Sequence, residues 1–122
     1  MSIEIVRLSE KAKGQLITAK KHTKIENWNV LCRWALMLSL KEESLPPHEE
    51  IVTDSNIEMT WKVFGGEFSD IYLAMLKQRI YQDYGKLDKS ELNYHFKLHL
   101  HRGISYLSSN TKNIENLMKS AL

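Results

Sequence analysis

The segment from Trp28 to Leu40 most constrains what this chain can fold into. Its sequence, WNVLCRWALMLSL, contains no glycine or proline, and only Asn29, Arg33 and Ser39 are plainly polar. A surface helix has one apolar stripe, whereas a helix that is apolar nearly all round must be covered on most sides. We therefore expect this helix to be the core of the protomer and part of a subunit interface. The alternative is a central helix that is fully buried in a monomer.

One charged residue lies inside this apolar segment. An unpaired guanidinium in a protein interior is very costly. We therefore expect Arg33 to reach an edge of the protein or to be paired.

Length and composition predict one domain over residues 1–122. Hydrophobic residues make up 43% of the chain and charged residues 26%, which is typical of a folded domain. No apolar run approaches the ~20 residues of a membrane span, and no leader pattern is present at the start, so we expect a cytoplasmic protein that does not enter a membrane. The one cysteine, Cys32, excludes an internal disulfide and a cysteine-based zinc cluster. Inside the apolar helix its thiol should stay protonated and inert.

The order of local signals predicts a mainly α fold with a short N-terminal strand. Residues 1–43 should form a basic strand-helix-helix unit, with a strand at 3–8, an N-cap at Ser9, a helix at 10–22 and the apolar helix to about residue 42. Residues 44–60 should be a loop, because 44–58 contain paired prolines, paired glutamates and a TDSN cluster.

Residues 61–122 should form the helical remainder. The alternation of apolar and polar residues over 57–63 predicts a strand or extended segment, ended by two glycines at 65–66. Three helices follow: one at 70–84, capped by Ser69 and stopped by Gly85; one from Asp88 to about Ser108; and one from about residue 112.

Charge is distributed unevenly along the chain. Residues 1–41 have a net charge of +5 and residues 42–122 a net charge of −3. Charge separated in this way favours a polyanion-binding end and a remainder with a different role.

Three histidines, His95, His99 and His101, form the richest cluster of potential metal ligands. The first two share one side of the predicted helix, but Glu91 is about 12 Å along the axis from His99, so these residues cannot readily meet at one ion. We interpret the histidines as polar or helix-packing positions and expect no metal. A phosphate-binding loop, GxSxG, HExxH and DxD are all absent from the sequence, so nothing argues for an enzyme.

The basic N-terminal unit resembles the ribbon-helix-helix arrangement of small DNA-binding dimers. We expect five lysines to bind DNA phosphates without reading sequence: Lys11, Lys13, Lys20, Lys21 and Lys24. The alternative is a solvated helix face that binds no ligand.

Three segments in this order carry a more specific resemblance. The apolar segment 28–40 is followed by GGEFSDIYLAMLKQR and then by HFKLHLHRGISYL, and together with the preceding strand and lysine-rich helix they resemble the DndE family of DNA sulfur modification proteins. The resemblance covers about residues 6–107, and leaves the loop at 44–58 and the tail after Ser108 uncovered.

The resemblance implies a function for the chain. It implies a non-catalytic, tetrameric, mostly helical subunit that binds double-stranded DNA, with a preference for nicked DNA. Such a subunit acts with DndC and DndD, while a cysteine desulfurase supplies the sulfur that replaces a non-bridging phosphate oxygen. No cofactor is implied.

The chain departs from the family pattern at the turn after the first helix. Glycine is usual after the threonine, where this chain has Lys24, and would be unsurprising at Lys21 as well. A lysine there must either adopt a left-handed conformation, at a cost of about 1 kcal/mol, or form another turn. Lys21 and Lys24 therefore stand where the chain departs from the family pattern, whereas Lys20 does not.

Two other interpretations remain. The chain could be an oligomeric scaffold whose acidic region, 42–122, holds DndC or DndD, with only incidental DNA contact. A ribbon-helix-helix transcriptional regulator ranks last, because Arg7 is the only long basic side chain on the predicted strand.

Overall fold

The computed structural model describes residues 1–121. The elements, in chain order, are β1 (Ile5–Arg7), α1 (Glu10–Thr23), α2 (Trp28–Lys41), β2 (Glu58–Thr60), α3 (Trp61–Gly65), a 3₁₀ turn (Gly66–Phe68), α4 (Ser69–Tyr84), α5 (Lys89–Asn110) and α6 (Ile114–Ser120). The mainly α fold class with a short N-terminal strand is confirmed. Among these residues, no helix is both long and apolar enough to cross a membrane.

The two short strands form one antiparallel pair. Ile5 lies opposite Thr60, Val6 opposite Met59 and Arg7 opposite Glu58. The N-terminal strand thus takes a partner from its own chain, whereas a ribbon-helix-helix dimer pairs this strand between protomers. The start of the chain is similar to that arrangement in element order, but not in this pairing.

Local side-chain caps begin α1, α5 and α6, and also the short helix α3. The Ser9 hydroxyl accepts a hydrogen bond from the Ala12 N–H at 3.1 Å, as expected for an N-cap. Asp88 accepts from the Glu91 N–H at 2.9 Å and begins α5, while Asn113 caps α6. Gly85 ends α4 in the left-handed conformation, at φ 70°, as predicted.

Two sequence predictions in the middle of the chain are wrong. The extended segment ends at Thr60 rather than Val63, because Thr60 caps a helical turn by accepting a hydrogen bond from the Val63 N–H. That turn buries Trp61 and Phe64, whose rings stack 4.8 Å apart. Ser69 does not cap α4: it lies inside the helix, because the preceding 3₁₀ turn leads directly into it.

Helix α2 lies at the centre of the core. Leu31, Cys32, Ala35 and Leu36 are fully buried. The opposite side of α2 is half-buried, including Val30, Trp34 and Met37 at helical spacing. Arg33 is half-buried too and reaches the edge of the protein, where a guanidinium N–H points at the Gly65 carbonyl oxygen 3.5 Å away. The helix is therefore the core of the protomer, as expected, with a second apolar side that is incompletely covered.

Helices α2 and α5 cross in close contact at Gly103. A Cβ atom at this position would lie 1.7 Å from the Ala35 carbonyl oxygen. The two backbones can approach this closely only because residue 103 has no side chain.

Two arginines from other helices hold the carboxyl end of α2. Arg102 donates to the Ser39 carbonyl at 2.8 Å, and Arg79 donates to the Leu40 carbonyl at 2.8 Å. Further bonds from the same guanidinium groups reach the Glu42 and Ser44 carbonyls. Positive charge at the carboxyl end of a helix is favourable, and the arginines also bond carbonyls that helix geometry leaves free.

Candidate nucleic-acid interface

The solvent side of α1 brings together four of the five predicted lysines. Lys13, Lys20, Lys21 and Lys24 follow one another at spacings that keep them on one side of the helix, with exposed Ile17 among them. From Lys13 to Lys24 this side is about 17 Å long at 1.5 Å per residue. We call these four lysines the α1 basic face.

Lys11 lies away from the α1 basic face. It is two residues before Lys13, which places it about 200° round the helix. There it lines a cleft of about 460 Å³ that also contains Glu10, Glu49, Glu50 and Asp54. Because nearby carboxylates repel phosphate, Lys11 is the least suited of the five lysines to a DNA contact.

The carboxyl-terminal half of the basic face surrounds a shallow depression. Its volume is about 350 Å³, and it is lined by Ile17, Lys20, Lys21, Lys24 and Glu26. The Lys20 ammonium lies 4.9 Å from the centre of the Trp28 ring, a cation–π contact that holds the charge near the start of α2. At the other end, Lys13 donates a hydrogen bond to the Asn56 side-chain oxygen at 2.7 Å.

None of the five lysines forms an ion pair with another residue of the described chain, 1–121. Their charges are thus not neutralised by a direct carboxylate partner. An array of this kind on one helix face is suited to phosphate groups, each of which it can contact as a point charge.

Lys24 adopts the left-handed conformation, with φ 65° and ψ 10°. The sequence left open whether Lys24 adopts the left-handed conformation or the chain forms another turn. The structure shows the left-handed conformation, which glycine adopts more readily than lysine. The Lys24 N–H donates to the Lys20 carbonyl at 2.9 Å, and the buried Thr23 hydroxyl donates to the Ala19 carbonyl and accepts from the Ile25 N–H. These bonds hold the turn and direct the Lys24 side chain to the basic face.

Two features of this face were missed by sequence reasoning. The contact between Lys20 and Trp28 joins two helices across a turn, and the bond from Lys13 to Asn56 spans 43 positions. No spacing rule within one helix predicts either contact, because both depend on how separate elements pack.

The histidines of α5 are packing residues. His95 is buried, stacks on Tyr84 at 4.1 Å, and has Nε2 2.9 Å from a Glu91 carboxylate oxygen. His101 accepts from the Ser9 N–H at Nε2, so Nδ1 carries the proton and donates to the Lys97 carbonyl. No cluster of three or more potential ligands suited to a metal occurs in the described part of the chain.

His99 is fully buried beside α2. The Ser39 hydroxyl accepts from Arg102 Nε at 2.9 Å and lies 2.8 Å from His99 Nδ1, to which it can donate. Burial, with further contributions from Arg102 and Arg79, lowers the pKa of His99 to about 4, so the ring is neutral near pH 7.

Cys32 is also fully buried, in α2. Burial raises the pKa of the Cys32 thiol to about 12, which keeps it protonated. A protonated, enclosed thiol is a poor nucleophile, in agreement with the inert role expected from its position in the apolar helix.

The fold and the basic helix face together define a small, mostly helical protein with a lysine-rich side on its first helix. The sequence model of the family described as DNA sulphur modification protein DndE matches residues 5–115. The chain therefore belongs to the DndE family. A comparison with curated proteins returns no match.

Solved structures agree on the fold. The chain is similar to DndE from Escherichia coli B7A, a protein involved in DNA phosphorothioation modification, with a TM-score of 0.72 and 24% sequence identity over 88% of this chain and 98% of the other. It is also similar to a DndE mutant in which two glycines are replaced by lysines, with a TM-score of 0.63 and 20% identity over 85% of this chain and 95% of the other.

Proposed function

We propose that this chain is a non-catalytic DNA-binding subunit of the bacterial DNA phosphorothioation machinery. Membership of the DndE family supports a role in DNA sulfur modification. The observation that carries the binding mode is the α1 basic face, where Lys13, Lys20, Lys21 and Lys24 lie on one side of the helix and pair with no carboxylate of residues 1–121. The subunit holds the DNA backbone, while DndC and DndD act with it and a cysteine desulfurase supplies the sulfur.

The protein assembles as a homotetramer in this proposal. The half-buried side of α2, with Val30, Trp34 and Met37, supports self-association because these apolar side chains are incompletely covered in the protomer. Assembly repeats the α1 basic face, so that a few phosphate contacts per chain become a multi-phosphate surface.

Preference for nicked double-stranded DNA follows from the shape of such a surface. A nicked duplex bends more freely than an intact one. It can therefore fit several basic faces at once with a smaller deformation energy.

The test is binding of the purified protein to intact, nicked and single-stranded DNA of one sequence across a salt series. We expect affinity that is independent of sequence, highest for nicked duplex, and steeply weakened by salt, because each neutralised phosphate releases counterions. Changing the five lysines Lys11, Lys13, Lys20, Lys21 and Lys24 to alanine should weaken binding and flatten the salt slope.

A folded five-alanine variant that keeps the oligomeric state, the affinity for nicked DNA and the salt slope of the wild type would refute this binding mode. The scaffold function, in which the acidic region 42–122 holds DndC or DndD, would then replace it. Nucleotide hydrolysis or DNA cutting by the highly purified protein would contradict the non-catalytic role.

A further inference from the structure

Two buried histidine nitrogens have no hydrogen-bond partner among residues 1–121. They are Nδ1 of His95 and Nε2 of His99. His95 is 2% exposed and His99 0%, so neither ring is open to the solvent around the protein. Buried polar atoms in folded proteins are nearly always hydrogen-bonded, because burial without a partner is costly. These two nitrogens therefore call for a partner that the described chain does not supply.

The two rings are neighbours on α5. Residues four apart on a helix lie one turn from each other, with Cβ atoms about 5–6 Å apart. The second nitrogen of each ring is held by a fixed partner: His95 Nε2 lies 2.9 Å from a Glu91 carboxylate oxygen, and His99 Nδ1 lies 2.8 Å from the Ser39 hydroxyl. His95 also stacks on Tyr84 at 4.1 Å. Neither ring can therefore turn to find another partner without losing these contacts.

The fixed partners also assign the protons. A carboxylate only accepts, so His95 donates from Nε2 to Glu91, and Nδ1 of the neutral ring is an acceptor. The Ser39 hydroxyl accepts from Arg102 Nε at 2.9 Å and donates its own proton to His99 Nδ1, which leaves the His99 proton on Nε2. Of the two unbonded nitrogens, one is thus an acceptor and the other a donor.

We propose that one buried water molecule binds between His95 and His99. The water accepts a hydrogen bond from His99 Nε2–H and donates one to His95 Nδ1. Water is the smallest molecule that can accept and donate at the same time. Buried waters in proteins typically bond polar groups that the chain itself leaves without a partner.

A metal ion does not fit the same position. A histidine nitrogen must be free of its proton to bind a metal, whereas His99 Nε2 carries one. No group of three or more potential metal ligands occurs among residues 1–121. The guanidinium groups of Arg102 and Arg79, which help to lower the pKa of His99, would also repel a cation.

The water completes a chain of hydrogen bonds between two helices. The chain runs from partly exposed Glu91 through His95, the water and His99 to Ser39 near the carboxyl end of α2. The water is therefore a structural ligand that links α5 to α2. This role is separate from DNA binding, so its failure would leave the proposed function unchanged.

A high-resolution crystal structure of the wild-type protein is the direct test. We expect a density peak about 2.7–3.2 Å from both His95 Nδ1 and His99 Nε2, without an anomalous signal from a metal. Continuous protein density without a peak, a direct bond between the two rings, or a metal ion at the position would each overturn the proposal.

Nuclear magnetic resonance gives an independent measurement in solution. Long-range ¹H–¹⁵N spectra report which nitrogen of each histidine carries the proton, and we expect Nε2 for both His95 and His99. The internal control is His101, whose Nδ1 bonds the Lys97 carbonyl and whose Nε2 accepts from the Ser9 N–H, so its proton should be on Nδ1. A His99 proton on Nδ1 would contradict the assigned hydrogen bonds.

The same experiment detects the water itself. The His99 Nε2 proton should give a cross-peak to the water resonance with opposite signs in NOE and ROE spectra, which distinguishes a long-lived bound water from proton exchange. His95→Phe removes the acceptor and keeps a ring that can stack on Tyr84, so the cross-peak should be lost. The matched control is His22→Phe in α1, where the histidine bonds the Thr111 carbonyl, and it should keep the cross-peak.

The wild-type measurements decide the outcome even if His95→Phe does not fold. Absence of the cross-peak in the wild type, when the His99 Nε2 proton is itself observed, would overturn the water. Its persistence in folded His95→Phe would show that His95 does not hold the water and would overturn the bridge.

Discussion

At the scale of single residues, Lys24 is the clearest place where local preference and structure disagree. Its φ of 65° is in the region that glycine occupies readily and other residues occupy at a cost of about 1–2 kcal/mol. Gly85 ends α4 in nearly the same conformation, with φ 70°, but without that cost.

We predict that Lys24→Gly stabilises the protein. Removal of the backbone strain should raise the free energy of unfolding by about 1 kcal/mol, because the strain relieved is larger than the cost of the extra freedom that glycine has in the unfolded chain. Urea denaturation measures this free energy. Lys24→Ala is the control: it removes the same charge and keeps the strain, so its stability should match that of the wild type. Equal effects of the two variants would show that charge, not conformation, limits this turn.

A second residue-scale prediction concerns His99 and pH. Its folded-state pKa of about 4 is below the 6.5 of a free histidine because of burial and of the nearby Arg102 and Arg79. The unfolded chain takes up a proton as pH falls through 6.5, whereas the folded chain does not until about 4. The contribution of this group is therefore fully present above pH 6.5 and is lost progressively between 6.5 and 4, by up to about 1.4 kcal/mol per pH unit.

The measurement is the free energy of unfolding at several pH values for the wild type and for His99→Gln. We expect the variant to be less stable at pH 7, because the bond to the Ser39 hydroxyl is perturbed, but to lose less stability on acidification. Parallel pH profiles for the two proteins would assign the acid sensitivity to other groups, among which is His101, whose pKa burial also lowers.

At the scale of elements, the crossing of α2 and α5 sets the shape of the core. Both helices contribute fully buried side chains, and Gly103 allows their backbones to meet. Gly14 in α1 is different, because a Cβ atom built there would have no atom within 4 Å.

These two glycines form a matched pair for mutation. Gly103→Ala should destabilise the protein by about 3 kcal/mol, because the methyl group would force the helices apart. Gly14→Ala should stabilise it by up to about 1 kcal/mol, since alanine is the better helix former and the space is open. Thermal denaturation of both variants is the measurement, and a Gly103→Ala protein with the melting temperature of the wild type would mean that the crossing is not tight.

At the scale of the whole molecule, charge and assembly act together. The α1 basic face lies on one helix, while Lys11 is separated from it and faces a cleft that contains four acids. In an oligomer each change is repeated in every copy, so even a single substitution is amplified.

We therefore predict different effects for two lysines that differ only in position on α1. Lys21→Ala should weaken binding to all DNA sequences about equally and reduce the salt slope by about one unit for each symmetry copy in contact. Lys11→Ala should change both quantities much less. Fluorescence anisotropy titrations across a salt series measure both, and a larger effect of Lys11→Ala would place the DNA on the other side of the helix.

Most of the helices could be predicted from the sequence, because their signals are local. Ser9 and Asp88 cap helices through bonds that span three residues, Gly85 stops one by its own conformation, and the apolar segment 28–40 has no sequence that breaks a helix. The same locality explains the errors at Val63 and Ser69. The alternation of residues 57–63 predicted a strand through Val63, but the chain instead forms a helical turn that buries Trp61 and Phe64. Ser69 resembled an N-cap in sequence but lies inside α4.

The lysines of the candidate site were identified by sequence, but their grouping depends on tertiary structure. Charge and helix periodicity belong to the chain itself and indicate a basic helix. The path of the loop 44–57 decides that Lys11 lines one cleft with Glu49, Glu50 and Asp54. The packing of α1 against α2 decides that Lys20 lies over Trp28. These contacts join residues far apart along the chain, and no local preference encodes them, because they exist only when the core has formed.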